Sequence, residues 1–204
     1  MNADFWNQRY AEEGFAYGDI PNEYFKQEIQ RLTPGKLLLP AEGQGRNAVY
    51  AAGLGWQVDC FDLSEVGKQR SFELAHNMGV TIQNYWVGNG VDLELTQQYT
   101  AVGLIYSHFA PSDKRLMLAK IAKTVIPGGV IIAEVFSKDH VKYKQANPKV
   151  GGPGEIDVLF SEDEFMEAFE DFDMEYLQTK EVDLTEGLYH QGIGSVVRMI
   201  ARKK

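Results

Sequence analysis

The stretch Leu37-Leu38-Leu39-Pro40-Ala41-Glu42-Gly43-Gln44-Gly45-Arg46-Asn47-Ala48 constrains this chain more than any other. It opens on Lys36 to Leu39, short and apolar in the manner of a buried parallel strand. It closes in a helix from Arg46 to about Leu54, punctuated by Gly53 and Gly55. Between them Gly43 and Gly45 lack a Cβ, so the backbone can pass close to a ligand. The next segment, WQVDCF over Trp56 to Phe61, reads as a second strand and stops at Asp62, 17 residues after Gly45. A carboxylate at that place accepts hydrogen bonds from both hydroxyls of a ribose. Strand, glycine turn, helix, strand and terminal acid in that order predict an adenosine-type ligand at the carboxyl edge of a parallel sheet.

The same alternation continues. Ser64 caps a helix to about Met78, with Gly79 just past its end. Thr81 to Val87 is a third strand and Ala101 to Tyr106 a fourth. Pro111-Ser112-Asp113 opens a helix whose Leu118, Ile121, Ala122 and Val125 share one face. Pro127-Gly128-Gly129 is a sharp turn before a fifth strand, Val130 to Phe136. Ahead of all this, residues 1–35 form a helical lead-in, with Phe25, Ile29 and Leu32 on one face after Pro21 in a first helical turn. Residues 137–160 are irregular, hold Gly151-Gly152-Pro153-Gly154, and read as a functional loop or lid. Ser161 and Glu164 form a capping box stapled by Phe160 and Phe165, opening a helix that buries Phe165, Ala168, Phe169 and Phe172. Met174 to Val182 and Gly194 to Ala201 close the chain as two strands, and the short link between them favours an antiparallel pair. The expected fold is α/β, Rossmann-like, with a mainly parallel seven-stranded sheet, an antiparallel final strand and helices on both faces. At 204 residues the chain suits one domain over 1–204.

Composition narrows the partners. Twenty basic against 29 acidic residues leave a net charge of −9, a poor match to a nucleic-acid backbone. Residues 155–186 alone hold 13 acids and one base, Lys180, so most of that charge is a solvated outer face. Residues 1–154 hold 16 acids and 15 bases and are nearly neutral, which leaves a neutral or anionic small acceptor compatible. Cys60 is the single cysteine, which excludes a disulfide framework or a cysteine metal cluster and reads as an inert small hydrophobe. The amino terminus lacks a basic-then-apolar leader and no window spans a membrane, so a cytoplasmic protein with no membrane partner is expected.

The spacing GxGxxA also fits a dinucleotide fingerprint. Two details speak against one. Glu42 would set a negative charge against a pyrophosphate, whereas a sulfonium ligand with an ammonium group would welcome it. Nicotinamide domains also normally add a catalytic domain, for which little length remains.

With Phe5-Trp6-Asn7-Gln8-Arg9-Tyr10, Tyr17-Gly18-Asp19-Ile20-Pro21-Asn22, Asp62-Leu63-Ser64, Ile126-Pro127-Gly128-Gly129, Gly151-Gly152-Pro153 and the terminal His190-Gln191-Gly192 through Val196-Val197-Arg198, the glycine stretch completes a set. The chain resembles the class I S-adenosylmethionine-dependent methyltransferases, and among them the small bacterial group that includes tellurite-resistance methyltransferases. The resemblance implies S-adenosylmethionine as cofactor. It implies that Gly43 and Gly45 approach the methionine and ribose, and that Arg46 and Asn47 start the helix beside the amino-acid end. Asp62 would hold the ribose hydroxyls, with Leu63 against adenine. Tyr17 and Arg9 would close the site, Arg9 towards the methionine carboxylate. The family's first-strand acid is here Leu39 or Pro40, with Glu42 as the substitute for it. Asn89 stands where the family has an adenine-contacting acid, with Asp92 as the rival; an Asn amide oxygen still accepts from the adenine amine.

Ser107, His108 and Phe109 follow the fourth strand, where an open sheet presents reactive groups. Ser107 joins the cofactor-binding set. His108 and His190 are the catalytic candidates, as general base or acceptor-orienting groups; the plainer reading is a loop or surface histidine. His76 and His140 read as structural or solvated, with no partner at metal spacing. Tyr17, Tyr106 and Tyr189 can shape an aromatic mouth around a sulfonium. The expected function is methyl transfer from S-adenosylmethionine to a small molecule, with a thiol or a selenium or tellurium nucleophile favoured by the resemblance. A NAD(P)-dependent oxidoreductase and a non-catalytic S-adenosylmethionine-binding module are the alternatives.

Overall fold

The computed structural model describes residues 2–204. Seven strands form one sheet in the order β3-β2-β1-β4-β5-β7-β6. They are β1 Lys36–Pro40, β2 Gln57–Asp62, β3 Asn84–Val87, β4 Tyr99–Ile105, β5 Val125–Phe136, β6 Phe172–Glu186 and β7 His190–Lys203. The first five run parallel, and β7 lies antiparallel between β5 and β6. The expected single antiparallel final strand and mainly parallel seven-stranded sheet are both present. The helices are α1 Ala3–Ala11, α2 Glu23–Ile29, α3 Arg46–Gly53, α4 Glu65–Asn77, α5 Pro111–Thr124, α6 His140–Ala146 and α7 Glu162–Ala168.

The parallel strands read as apolar runs because both faces are covered. Leu37, Leu38 and Leu39 have no exposed surface. Phe25, Ile29, Ala48, Ala51 and Leu74 pack one face, from α2, α3 and α4. Met117, Ile121, Phe165 and Phe169 pack the other, from α5, α7 and the residue that follows α7. Strand order reverses between β1 and β4, which opens a crevice at their carboxyl ends. Ser107 Oγ donates to the Pro40 carbonyl at 2.6 Å and ties the two strand ends together there.

Three local expectations are corrected. Pro21 lies outside α2, because Asn22 takes the cap position and its Oδ1 accepts from the Phe25 amide. Val125 leaves the helix and starts β5, which pairs with β4 through the Pro127-Gly128-Gly129 region with a register shift. The segment 137–160 is not irregular throughout: it contains α6 and two short 3-10 turns, Pro148–Val150 and Ile156–Val158. The capping box is present in full, with Ser161 and Glu164 bonded reciprocally. Phe160 and Phe165 stack at 5.1 Å between centroids as the staple. Ser161→Ala removes that cap and is expected to lower unfolding free energy by about 1 kcal/mol. A urea midpoint unchanged from wild type would show the box to be idle.

Candidate functional site

Along the carboxyl edge of the sheet lies a cavity of about 1060 Å³. Its floor is the turn after β1. Ala41 adopts a positive φ of 52°, and Glu42 folds back over the start of α3. Glu42 Oε1 accepts from the Asn47 and Ala48 amides at 2.9 and 2.8 Å, so the carboxylate caps the helix N-terminus with its partial positive charge. Burial nevertheless pushes its pKa up to about 7. Gly43 leaves room for more than a ligand. A Cβ there would sit 2.6 Å from Tyr10 Oη, so the lead-in helix α1 closes directly onto the turn.

Asp62 ends β2 across from Gly43. Its Oδ2 accepts from the Gly43 amide at 3.1 Å and its Oδ1 from the Ser64 amide at 2.9 Å. A carboxylate has about four lone-pair sites, so each oxygen keeps acceptor capacity. Burial raises its pKa to about 6, more than those amides lower it.

The far end of the cavity is aromatic and lies beneath β4, β5 and the β6–β7 turn. Tyr106 and Phe136 follow or end those strands, and Tyr106 holds a strained φ of 50°. The His190 ring sits 4.5 Å from Tyr106, 4.6 Å from Tyr17 and 5.3 Å from Phe136. Its Nδ1 is 3.3 Å from Glu186 Oε2, and burial lowers its pKa. Glu186 Oε2 also accepts from Arg46 Nη2 at 2.8 Å. The Asn22 amide donates to both Glu186 Oε1 at 2.9 Å and Glu134 Oε1 at 2.6 Å. The Asn22 backbone N–H donates to Asn47 Oδ1 at 2.9 Å, and Asn47 Nδ2 in turn to Glu42. One hydrogen-bonded chain therefore runs from the turn after β1 to His190. With these partners Glu186 is held down at a pKa of about 2 despite its burial.

His108 also lines the cavity, but differently. Its Nδ1 faces the Tyr106 carbonyl at 2.7 Å, which fixes the proton there. Its Nε2 is sealed from solvent with no partner, and burial lowers its pKa to about 3.

No protein-family model and no curated protein matches the sequence. Solved structures do. TehB from Haemophilus influenzae matches with a TM-score of 0.70 at 18 % identity, over 99 % of this chain and 67 % of that one. Magnesium protoporphyrin IX methyltransferase (ChlM) from Synechocystis PCC 6803, with bound SAH, gives 0.68 at 14 % identity over 99 % and 98 %. An S-adenosylmethionine-dependent methyltransferase from Anabaena variabilis gives 0.69 at 13 % identity over 99 % and 93 %. The chain has the class I methyltransferase fold.

On this methyltransferase fold, Arg9, Tyr17, Glu42, Gly43, Arg46, Asn47, Asp62, Leu63, Asn89, His108 and His190 all line the one cavity. Two residues expected there do not. Gly45 is the α3 cap at φ 87°, and a Cβ on it would strike Ser71, so it serves α3–α4 packing. Ser107 is fully buried and spent on the Pro40 carbonyl. Arg46 reaches the cavity, but its guanidinium is engaged by Glu186 and the Tyr17 carbonyl. Of the rivals after β3, Asn89 lines the cavity and Asp92 is exposed outside it. Asn89 Nδ2 donates to Asp113 Oδ2 at 2.9 Å, which brings in a carboxylate not foreseen from the sequence. His140 is structural, as expected. It accepts from the Ser195 amide and its Nε2 faces the Gly151 carbonyl, pinning the glycine segment to β7. Among the described residues no group of three His, Cys, Asp or Glu side chains is placed to hold a metal ion, and no helix is long and apolar enough to cross a membrane.

Proposed function

We propose that the chain is an S-adenosylmethionine-dependent methyltransferase acting on a small-molecule acceptor. The observation that carries this is Asp62. On this fold, it is a buried carboxylate with unused acceptor capacity at the end of β2, facing Gly43 across one large cavity. Asp62 would take the ribose hydroxyls, Leu63 and Asn89 the adenine side, and the turn Ala41 to Gly43 with Arg9 the amino-acid end. The cofactor supplies a methyl group already activated on a sulfonium. The protein's share is then alignment and exclusion of water. Tyr17, Tyr106 and Tyr189 present ring faces that suit a positive sulfonium. The acceptor is a small molecule that fits the aromatic end, where a thiol is compatible.

Calorimetric titration with S-adenosylhomocysteine and with NAD tests the reading, and binding of NAD alone would sink it. Tight binding without release of S-adenosylhomocysteine from any acceptor would instead mark a binding module.

The acids give a further expected result. In the free protein Glu42 and Asp62 have pKa values of about 7 and 6, above their ordinary 4.5 and 3.8. They therefore favour the folded state below about pH 4, and that contribution is lost as pH rises through 6 to 7. Hydroxyl donors and a cationic ligand favour the ionised forms and lower both values. Binding of S-adenosylmethionine should release protons near pH 6 to 7, and affinity should rise from pH 5 to pH 8. Calorimetry in buffers of different ionisation enthalpy reads this directly; proton uptake would contradict the placement of the ligand.

A further inference from the structure

Beyond the cofactor half, the cavity wall contains a carboxylate–imidazole pair whose geometry has chemical consequences. Glu186 stands at the end of β6 and His190 at the start of β7, so the tight hairpin turn sets them four residues apart and 3.3 Å between Nδ1 and Oε2. A neutral imidazole facing a carboxylate carries its proton on the facing nitrogen. The other nitrogen, Nε2, is then a bare lone pair. Nε2 makes no hydrogen bond among the described residues, and unlike His108 Nε2 it is not sealed from solvent. Tyr17, Tyr106 and Phe136 wall the ring on its other sides, all of them cavity-lining.

The cations of the cavity point the same way. Arg46 is held by Glu186 and the Tyr17 carbonyl. Arg9 lies over the Tyr189 ring at 3.7 Å, beside Glu12. Lys144 donates to the Gly152 carbonyl. Every Lys or Arg on the lining is already engaged, so an anionic acceptor meets no waiting counter-charge, whereas a donor X–H meets a waiting acceptor.

We infer that Glu186 and His190 form a general-base dyad and that the methyl acceptor is a neutral protic nucleophile, a thiol, phenol or amine, rather than a selenium or tellurium oxyanion. This rests on the methyltransferase reading. As the acceptor's X attacks the methyl carbon, the X–C bond forms and the donor's S–CH3 bond breaks with its electron pair passing to sulfur. The X–H proton moves to His190 Nε2, giving an imidazolium beside Glu186, and then leaves to water. Glu186 is a positioning residue: it fixes the tautomer and offsets the transient charge.

The groups facing His190 are Glu186 from β6, Arg46 from α3, Tyr17 from the lead-in and Tyr106 after β4, with His108 and His140 close enough to act through charge. The test pairs imidazole nitrogen NMR with a turnover panel of benzyl mercaptan, phenol, benzylamine, selenite and tellurite. His190 should show the Nδ1–H tautomer in wild type. In Glu186→Gln that tautomer preference should be lost and the His190 pKa should fall, which a merely structural carboxylate would not produce. At least one protic acceptor should be methylated. His190→Gln should lower its kcat by about 10²–10⁴-fold and abolish the pH dependence, with S-adenosylhomocysteine affinity within a few-fold of wild type. An Nε2–H tautomer, methylation of the oxyanions alone, no turnover at all, or a His190→Gln rate equal to wild type each overturn the inference. Failure of wild type to bind S-adenosylhomocysteine would overturn the methyltransferase reading instead.

Discussion

Asp62→Ala should weaken S-adenosylhomocysteine binding by about 1–3 kcal/mol, the cost of removing a buried hydrogen-bond partner. That corresponds to roughly a 5- to 150-fold rise in Kd. The carboxylate spends one bond per oxygen on Gly43 and Ser64 and keeps the rest of its capacity for the cavity. Its loss also removes the charge whose pKa burial holds at about 6, so proton release on binding should shrink with the affinity. Folding should suffer less than binding, because the free protein already bears the cost of burying that charge. An unchanged Kd by calorimetry would mean that the ribose does not sit at the end of β2.

Gly45→Ala should act in the opposite order, on stability first. Gly45 has φ 87°, where an L-residue is strained, and its Cβ would come within 2.7 Å of Ser71 Cβ and 2.9 Å of Ser71 Cα. The backbone of α4 cannot yield as a flexible side chain would. Strain and overpacking together are expected to cost about 2–4 kcal/mol. For a chain of this size that lowers Tm by roughly 4–16 °C. Adding Ser71→Gly should recover the steric part and leave the φ penalty. A thermal scan that finds Gly45→Ala as stable as wild type would contradict the tight α3–α4 contact.

These two variants mark where the sequence was legible. Asp62 could be located because a strand, a turn and a helix of ordinary length count out its position, and its environment is local. Gly45 was legible as a turn glycine but not in its duty, because Ser71 lies a whole helix away. Ser107 was misread for the same reason: its partner is the Pro40 carbonyl, 67 residues distant. Arg46 could be read as opening a helix, yet Glu186, 140 residues on, decides where its guanidinium goes. The helix α6 escaped notice because HVKYKQA is seven residues long and buries only His140, which leaves no periodic apolar stripe. Asp113 looked like an ordinary first-turn acid, and only the approach of Asn89 makes it part of the cavity.

Asn22 joins the turn after β1 to the carboxylates of β5 and β6 with a single side chain and its own amide. No other route so short connects the two ends of the cavity along the chain of bonds described above. A lineage that drifts towards a new methyl acceptor must therefore remodel the β6–β7 hairpin without disturbing what this one amide sees. The acceptor end is not a free module to be exchanged; its history is yoked to that of the cofactor end.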